Sequence, residues 1–569
     1  MAARQSKYDA QTERREARLG INYKWIALSN TTLGGLMAGI DSSILLISLP
    51  AIFNGLGVNA LAPGSADLLL WLLLGYTISS SVFLLTIGRL SDMFGRVRIY
   101  NLGFLIFAIA STLLYVSSLF ISGTTGALSL IALRVIQGIG GSFLMANSAA
   151  ILTDAFPKEE RGKAIGVNQI AVVGGSLLGL IVGGVLSAID WHLIFLVSVP
   201  VGILGTAWAY LALREIATLD KVKSFDILGN VLFAVAMLSV LVGLTYRLIP
   251  ASASGYSDIL IAAGIALTAA FVYVETKAAH PMFNLGLFRI REFSAGILSQ
   301  LLASIARGGM QFLIIIWLQG IWLPLHGVNF LDTPLHAAIA MLPLTIGFLV
   351  TGPVSGYLSD KYGARVFTTV GMLINCGGFL LMALLPTNFN YYAFLPIIFM
   401  LGVGQGMFSS PNATAIMNAA PPERRGAASG MRVTFLNMSM MFSIVIFFTL
   451  LTAGIAVQLP RAIYSGLIAQ NISAQLALNI SKLPTSSALF AALLGDNPMK
   501  TLIPNATLAS LPVAKQQLIT GLTFFPTMIS APFQEGLRDV MYFSAFLSFV
   551  AAVASMLRGG RREEGGATS

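Results

Sequence analysis

Long apolar runs, most of them about twenty residues, alternate along the whole chain with short segments of Gly, Pro and charged residues. Runs of this length, unbroken by charge, predict membrane-crossing helices, because the strands of a membrane barrel would be about ten residues long with alternating polarity. The helices fall near 25–48, 67–87, 99–121, 127–152, 163–188, 191–213, 226–247, 257–275, 293–322, 335–358, 366–385, 391–416, 427–452 and 537–557, a count of fourteen. Two of the polar segments recur. Gly88-Arg89-Leu90-Ser91-Asp92-Met93-Phe94-Gly95-Arg96-Val97-Arg98 has a second copy at Gly356-Tyr357-Leu358-Ser359-Asp360-Lys361-Tyr362-Gly363-Ala364-Arg365-Val366. Ala155-Phe156-Pro157-Lys158-Glu159-Glu160-Arg161-Gly162 is matched by Ala419-Ala420-Pro421-Pro422-Glu423-Arg424-Arg425-Gly426. The repeats predict an all-α membrane protein of two related six-helix bundles, 25–213 and 293–557, with the helices of 226–275 inserted between them.

Charge orients this arrangement. Cytoplasmic loops retain Lys and Arg, and 25 of the 34 basic residues fall on the side that carries both chain ends, against six on the other and three, Arg134, Arg307 and Arg432, within helices. Residues 1–24 and 558–569 are thus expected to be cytoplasmic tails, the first too polar for a signal peptide. The net charge of +10 then reports orientation and lipid-headgroup contact rather than a nucleic-acid site. With 56% hydrophobic and 10% charged residues, the chain has too little polar surface for a soluble globule. The single Cys376 excludes an internal disulfide, and the four histidines have no paired metal spacing, so no metal or cofactor is expected. A Walker-type loop is absent, and the acidic residues of the outer loops are scattered without a nucleophile constellation, which argues against an enzyme.

The segment 453–536 is the one long interruption, on the outer side, rich in Leu, Ile and Ala and punctuated by prolines. Short amphipathic helices are expected there, capping the outer mouth, lying on the bilayer surface, or forming a variable loop with no transport role. Asn471, Asn479 and Asn505 begin N-x-S/T triplets in it.

Asp41 is the one acidic residue deep inside an expected span. A carboxylate in hydrocarbon is costly unless paired or neutralised, which makes it a functional candidate. Asn30, Gly34, Met37, Asp41 and Ser48 share one face of the first helix, and Arg134, Gly138, Gly141, Met145 and Ser148 share one face of the fourth. Gln300, Ser304, Arg307 and Gln311 stripe the ninth helix, and Gln405, Ser409 and Asn412 the twelfth. Four polar faces require an aqueous cavity or one another.

The repeated loop resembles the one that major facilitator superfamily transporters carry between their second and third helices, with Gly88, Asp92, Gly95, Arg96 and Arg98 in the first copy and Asp360 and Gly363 in the second; Met93 and Val97 replace usual basic residues. The closest subgroup is the fourteen-helix drug:proton antiporter family. Gly39-Ile40-Asp41-Ser42-Ser43-Ile44-Leu45-Leu46-Ile47-Ser48-Leu49-Pro50 looks like its first-helix motif, and Leu133-Arg134-Val135-Ile136-Gln137-Gly138-Ile139-Gly140 like its fourth-helix motif, whose arginine is implicated in proton coupling. In the fifth-helix motif Leu180 replaces a proline, but Gly175, Gly179 and Gly183 remain as small residues for close helix packing.

The resemblance implies that helices 1, 4, 9 and 12 line the cavity, the four that carry the polar stripes. It implies a secondary active exporter of small amphiphilic or lipophilic compounds, acting as a monomer by alternating access, driven by protons and without a cofactor. Asp41 would bind the proton and Arg134 set its affinity; Asn30, Met37, Met145, Gln300, Ser304, Arg307, Gln311, Gln405, Ser409 and Asn412 would line the substrate cavity; the Gly88–Arg98 loop and its copy would act as a conformational latch. A carrier of lipid or metabolite, uptake by symport, and a transport-dead sensor share the fold. Two deep arginines against one aspartate disfavour a dicationic substrate.

Overall fold

The computed structural model describes residues 22–59, 61–62, 65–157, 160–216, 226–247, 254–278, 283, 285–421 and 425–558, so the tail 1–24 lies almost wholly outside the described residues. Fourteen helices among them are long and apolar enough to cross a membrane. The first six are α1 (Tyr23–Leu56), α2 (Ser65–Phe94), α3 (Arg96–Phe120), α4 (Gly123–Ala155), α5 (Arg161–Ile189) and α6 (Ser198–Ala212). They pack on one another as an N-terminal bundle, α1 against α5 and α4, and α3 against α4 and α6. The hairpin α7 (Ile227–Arg247) and α8 (Ser254–Lys277) follows, docked beside α2 through Thr86, whose hydroxyl donates to Asn230 Oδ1 at 2.8 Å.

The C-terminal bundle comprises α9 (Arg291–Trp317), α10 (Leu342–Tyr362, entered through a short helix at Thr333–Ala340), α11 (Ala364–Leu384), α12 (Tyr391–Ala419), α13 (Arg425–Ile468) and α14 (Phe524–Met556). Beyond Trp317, α9 continues through a π-type turn, Leu318–Trp322. The face carrying the first and last helix ends is called the basic face below, and the opposite one the far face.

Close approach of α1 and α5 follows from their small residues. A Cβ added to Gly175, Gly179 or Gly183 would run into the α1 backbone or side chains at Leu36, Ile40 and Ile44, and one on Gly39 would meet Val172 O of α5. With the side chains removed, the two backbones pack directly, as small residues spaced one turn apart permit.

The largest differences from the expected boundaries flank the long interruption. The interruption is shorter than 453–536, because α13 runs to Ile468 and α14 begins at Phe524. Gln458, Pro460 and Arg461 break the apolar run, but Leu451, Ile455, Leu459, Ile463 and Leu467 keep a four-residue spacing, and all are buried. That stripe holds the helix together beyond the membrane; its 44 residues span about 66 Å against a hydrocarbon core of about 30 Å. Gly454 faces Gly536 of α14, where an added Cβ would lie 2.5 Å from the opposing Cα. Between them, the expected short helices form at Ala474–Ile480, Thr485–Leu493, Met499–Leu502, Asn505–Ala509 and Val513–Thr520. Leu489, Phe490, Leu493 and Met499 are buried in the same apolar cluster as Phe53, Leu69, Trp317 and Ile321, so the segment is a packed cap over the far ends of both bundles.

Candidate functional site: a buried ion pair between two bundle helices

The midpoint of α1 faces α4. Arg134 Nη1 donates to Asp41 Oδ2 at 2.6 Å, and the side chains are 3% and 7% exposed. Gln137, one turn on from Arg134, donates through Nε2 to Asp41 Oδ1 at 2.8 Å and to Ser111 Oγ of α3 at 2.8 Å, while its Oε1 accepts from Arg134 Nη1 at 2.5 Å. Tyr76 of α2 lays its ring 4.7 Å from the guanidinium carbon. Both carboxylate oxygens are therefore occupied by donors, which is what an ionised Asp needs away from water. Arg134 Nε has no partner among the described residues. The pair is neutral as a unit, so it tolerates burial, but protonating Asp41 would release Arg134 as an uncompensated cation. Charge state and helix packing are thereby coupled at one point.

The sequence identified Asp41 and Arg134 but not the groups that finish the site. Gln137 lies within the fourth-helix motif Leu133–Gly140; Ser111 and Tyr76 carry no signal, since hydroxyls and aromatic rings are common along the spanning helices. Gly138 and Gly141 let α2 approach, because an added Cβ on Gly138 would strike Ser79 Oγ and the Tyr76 carbonyl, and one on Gly141 the Tyr76 hydroxyl.

Two cavity candidates on α1 are corrected. Asn30 is fully buried, its Nδ2 donates to Gly205 O of α6 at 3.3 Å, and its own carbonyl accepts from Tyr100 at 3.3 Å. Met37 is fully buried in a cluster with Tyr76, Tyr100, Phe104 and Leu144. These residues share a helical face, but that face meets α3, α4 and α6 rather than a cavity. Met145 is half-buried.

In the C-terminal bundle the stripes of α9 and α12 meet as those of α1 and α4 do. Asn412 Nδ2 approaches Gln300 Oε1 at 3.4 Å, and Gln300 Nε2 donates to Arg432 O of α13 at 3.2 Å. Ser304 is buried, whereas Arg307, Gln311, Gln405 and Ser409 are half-buried. Arg558, assigned from sequence to the C-terminal tail 558–569, is not a tail residue. It is 4% exposed and turns back from the end of α14 to donate to Ser299 Oγ at 2.8 Å and to Asn412 Oδ1. A neighbouring bond from Arg291 Nε to Leu557 O, 2.8 Å, fastens this helix end to α9.

The repeated loop has its own anchors. The backbone N–H groups of Arg96 and Val97, at the start of α3, donate to the two carboxylate oxygens of Glu215 at 3.0 Å each, and Arg96 Nη1 meets both oxygens of Asp154 at 2.8 Å. Gly95 adopts φ +109, a region open to glycine, with Glu215 Oε2 2.6 Å from where a Cβ would stand. The side chains of Asp92 and Asp360 lie outside the described ones. Gly88 has open space at its Cα and Gly363 lies at φ +87. Arg98, the third residue of α3, is exposed. Glu215 and Asp154, which tie this loop to its own bundle, were not foreseen.

The far face is closed between the bundles. Gln319 Nε2, in the π-type turn of α9, donates to Ile47 O of α1 at 3.3 Å, and Asn54 Nδ2 donates to Leu494 O of the cap at 3.0 Å. A Cβ on Gly184 of α5 would lie 2.8 Å from Leu335 Cα.

The family model described as Major Facilitator Superfamily matches residues 31–444, more than half of the chain and both helix pairs described above. The chain belongs to the Major Facilitator Superfamily. It is a multi-pass membrane transporter, not an enzyme. Similar proteins include the riboflavin transporter RibZ of Clostridioides difficile, 29% identical over 73% of this chain and 86% of that protein. The tetracenomycin C resistance and export protein of Streptomyces glaucescens is 29% identical over 72% of each chain. The multidrug resistance protein Stp of Mycobacterium tuberculosis is 28% identical over 71% of this chain and 72% of that one. Among solved structures, a bacterial homologue of the human lysosomal transporter Spinster, inward-facing and unoccupied, aligns over 95% of this chain and 99% of its own with TM-score 0.56 and 16% identity. The proton:xylose symporter XylE aligns over 88% of this chain and 99% of its own with TM-score 0.52 and 14% identity, which places the superfamily fold beyond the matched segment.

Proposed function

We propose that this transporter is a proton-coupled exporter of small amphiphilic compounds, of the fourteen-helix antiporter type, working by alternating access. The observation that carries the reading is the closed set Asp41, Arg134, Gln137 and Ser111. It holds one titratable carboxyl midway along a spanning helix, in contact with a cation on a second helix. A proton reaching Asp41 removes the attraction to Arg134, and the freed guanidinium then favours whichever bundle arrangement hydrates it. Proton occupancy thus biases the two access states. With the far face sealed, the arrangement described above is the one that would load from the basic face. The resistance and export proteins among the relatives support the direction, and the equally similar riboflavin transporter makes the substrate an open field for screening.

The test is transport in proteoliposomes with and without an imposed pH gradient, using a counterflow screen of amphiphilic compounds. Wild type should accumulate substrate against its gradient when the pH difference is present, and Asp41→Asn should retain exchange but lose accumulation. Accumulation by Asp41→Asn equal to wild type would remove the proton role.

A further inference from the structure

Charge is divided unequally between the two bundles. In the N-terminal bundle the deep arginine is neutralised by Asp41 at 2.6 Å. In the C-terminal bundle the side chains of Arg307 and Arg432 make neither a hydrogen bond nor an ion pair among the described residues, and Nε of each is buried without a partner. Arg558 is satisfied only through Nη2, leaving Nε and Nη1 buried and unpaired. Burial pushes the Arg558 pKa down to about 10, so it keeps its charge at neutral pH. The acidic side chains of α9 and α14, Glu292, Glu535 and Asp539, all lie at exposed positions, and of these Glu292 acts on Arg558, partly offsetting the effect of its burial.

The three arginines come from three helices that meet around the polar stripe of α9. Arg558 sits at the level of Ser299 and Asn412, and Arg432 is joined through its carbonyl to Gln300. Arg307 lies two turns, about 10 Å, further in on the stripe of α9 that carries Gln300 and Ser304. Arg307 and Arg432 are half-buried, with Nε enclosed; a guanidinium inside a membrane bundle without an anion is costly, and such an unpaired charge marks a ligand pathway in membrane proteins. Its planar fork is suited to a carboxylate or a phosphate, each taken with two parallel bonds.

We infer that the C-terminal bundle binds the anionic head group, carboxylate or phosphate, of an amphiphile between Arg432 and Arg307, with Arg558 marking the entrance at the basic face. The inference rests on the transporter reading and names its substrate class. It divides the work between bundles: α1 and α4 handle the proton, and α9, α12 and α13 handle the anion. An anion leaving this ladder exposes the arginines to one another again, so loading and unloading change the electrostatic energy of the same bundle.

Binding is measured by calorimetry on the full chain in nanodiscs of phosphatidylcholine, with octyl phosphate as the anionic probe and octyltrimethylammonium as its cationic counterpart. Octyl phosphate should bind at least about tenfold tighter, as charge-assisted bonds of this kind imply. Arg307→Gln and Arg432→Gln should each weaken it by about tenfold or more, and the lysine variants at both positions should fall between. The lysine variants keep a charge in the bundle, so they report even where a glutamine variant fails to fold. Loss of octyl phosphate binding on adding phosphatidylglycerol to the discs assigns the site to a lipid head group; competition by octanoate without that effect assigns it to a soluble organic anion. Equal affinity for the two probes, or wild-type octyl phosphate affinity in the substituted arginine variants, overturns the inference. Because no gradient is applied, such a failure would leave proton-coupled transport untouched, and a loss of proton coupling would leave this binding in place.

Discussion

The side-chain amide of Gln319 reaches across the two bundles to the backbone carbonyl of Ile47, 3.3 Å away. It comes from the π-type turn of α9, where the backbone widens and the side chain is fully buried. Single π-type turns inside α-helices are frequent at functional sites.

Gln319→Leu keeps the volume and removes the bond. A net hydrogen-bond contribution of about 1 kcal/mol corresponds to about a fivefold shift of the access equilibrium toward the far-open state. A cysteine placed at Leu335, in a background lacking Cys376, should label faster from the far face in this variant. An unchanged labelling rate means that Gln319 does not hold the gate.

Removing Asp41 has two separable effects. Asp41→Ala leaves Arg134 buried without an anion and should cost about 3–5 kcal/mol, whereas Asp41→Asn keeps an acceptor and should cost less. Replacing the pair together, Asp41→Leu with Arg134→Met, should recover most of the thermal stability while abolishing proton-driven accumulation. Melting temperatures in detergent, read beside proteoliposome flux, check both halves of this statement.

How far the sequence carries depends on what kind of signal a residue leaves. Asp41 was legible because no other carboxyl lies deep in an apolar run, and Arg134 because it shares a face with glycines at helical spacing. Gln137, Ser111 and Tyr76 were not, since packing alone selects them from many equivalent amides, hydroxyls and rings. Periodicity placed Asn30 and Met37 on the Asp41 face, yet it does not say whether a face meets water or another helix. Arg558 looked like a tail residue because the apolar run ends beside it. The far end of α13 was lost to Pro460 and Arg461, which interrupt average hydropathy but not the buried four-residue stripe.

Gly179 tests the contact between α1 and α5. A Cβ there would press on Ile40, the residue before Asp41, so Gly179→Val should separate the helices at the level of the ion pair. Overpacking of this kind typically costs about 1–3 kcal/mol. A lowered melting temperature together with a weakened pH dependence of transport is expected; a lowered melting temperature alone would place the glycine in packing only.

Glu215 caps the first turn of α3 with a carboxylate supplied from beyond α6, where the helix dipole favours negative charge. Glu215→Ala should leave two amide donors without their acceptor and cost about 1–3 kcal/mol. Arg96 and Asp154 are about a quarter exposed, so Asp154→Asn should cost less than 1 kcal/mol, and that loss should shrink as salt is raised. Thermal unfolding at two ionic strengths distinguishes the two contributions.

The cap over the far face hangs from α13 and α14 by two unbroken helices and touches α1 through the bond from Asn54 to Leu494. Its attachment is therefore lopsided: any rigid rotation of the bundles carries it along as a passenger of the C-terminal one, swinging on the ends of two rods while its grip on α1 lets go. An antibody fragment that spans the cap and the end of α1 would then act as a clasp, arresting the cycle from outside the membrane without approaching the proton or the substrate.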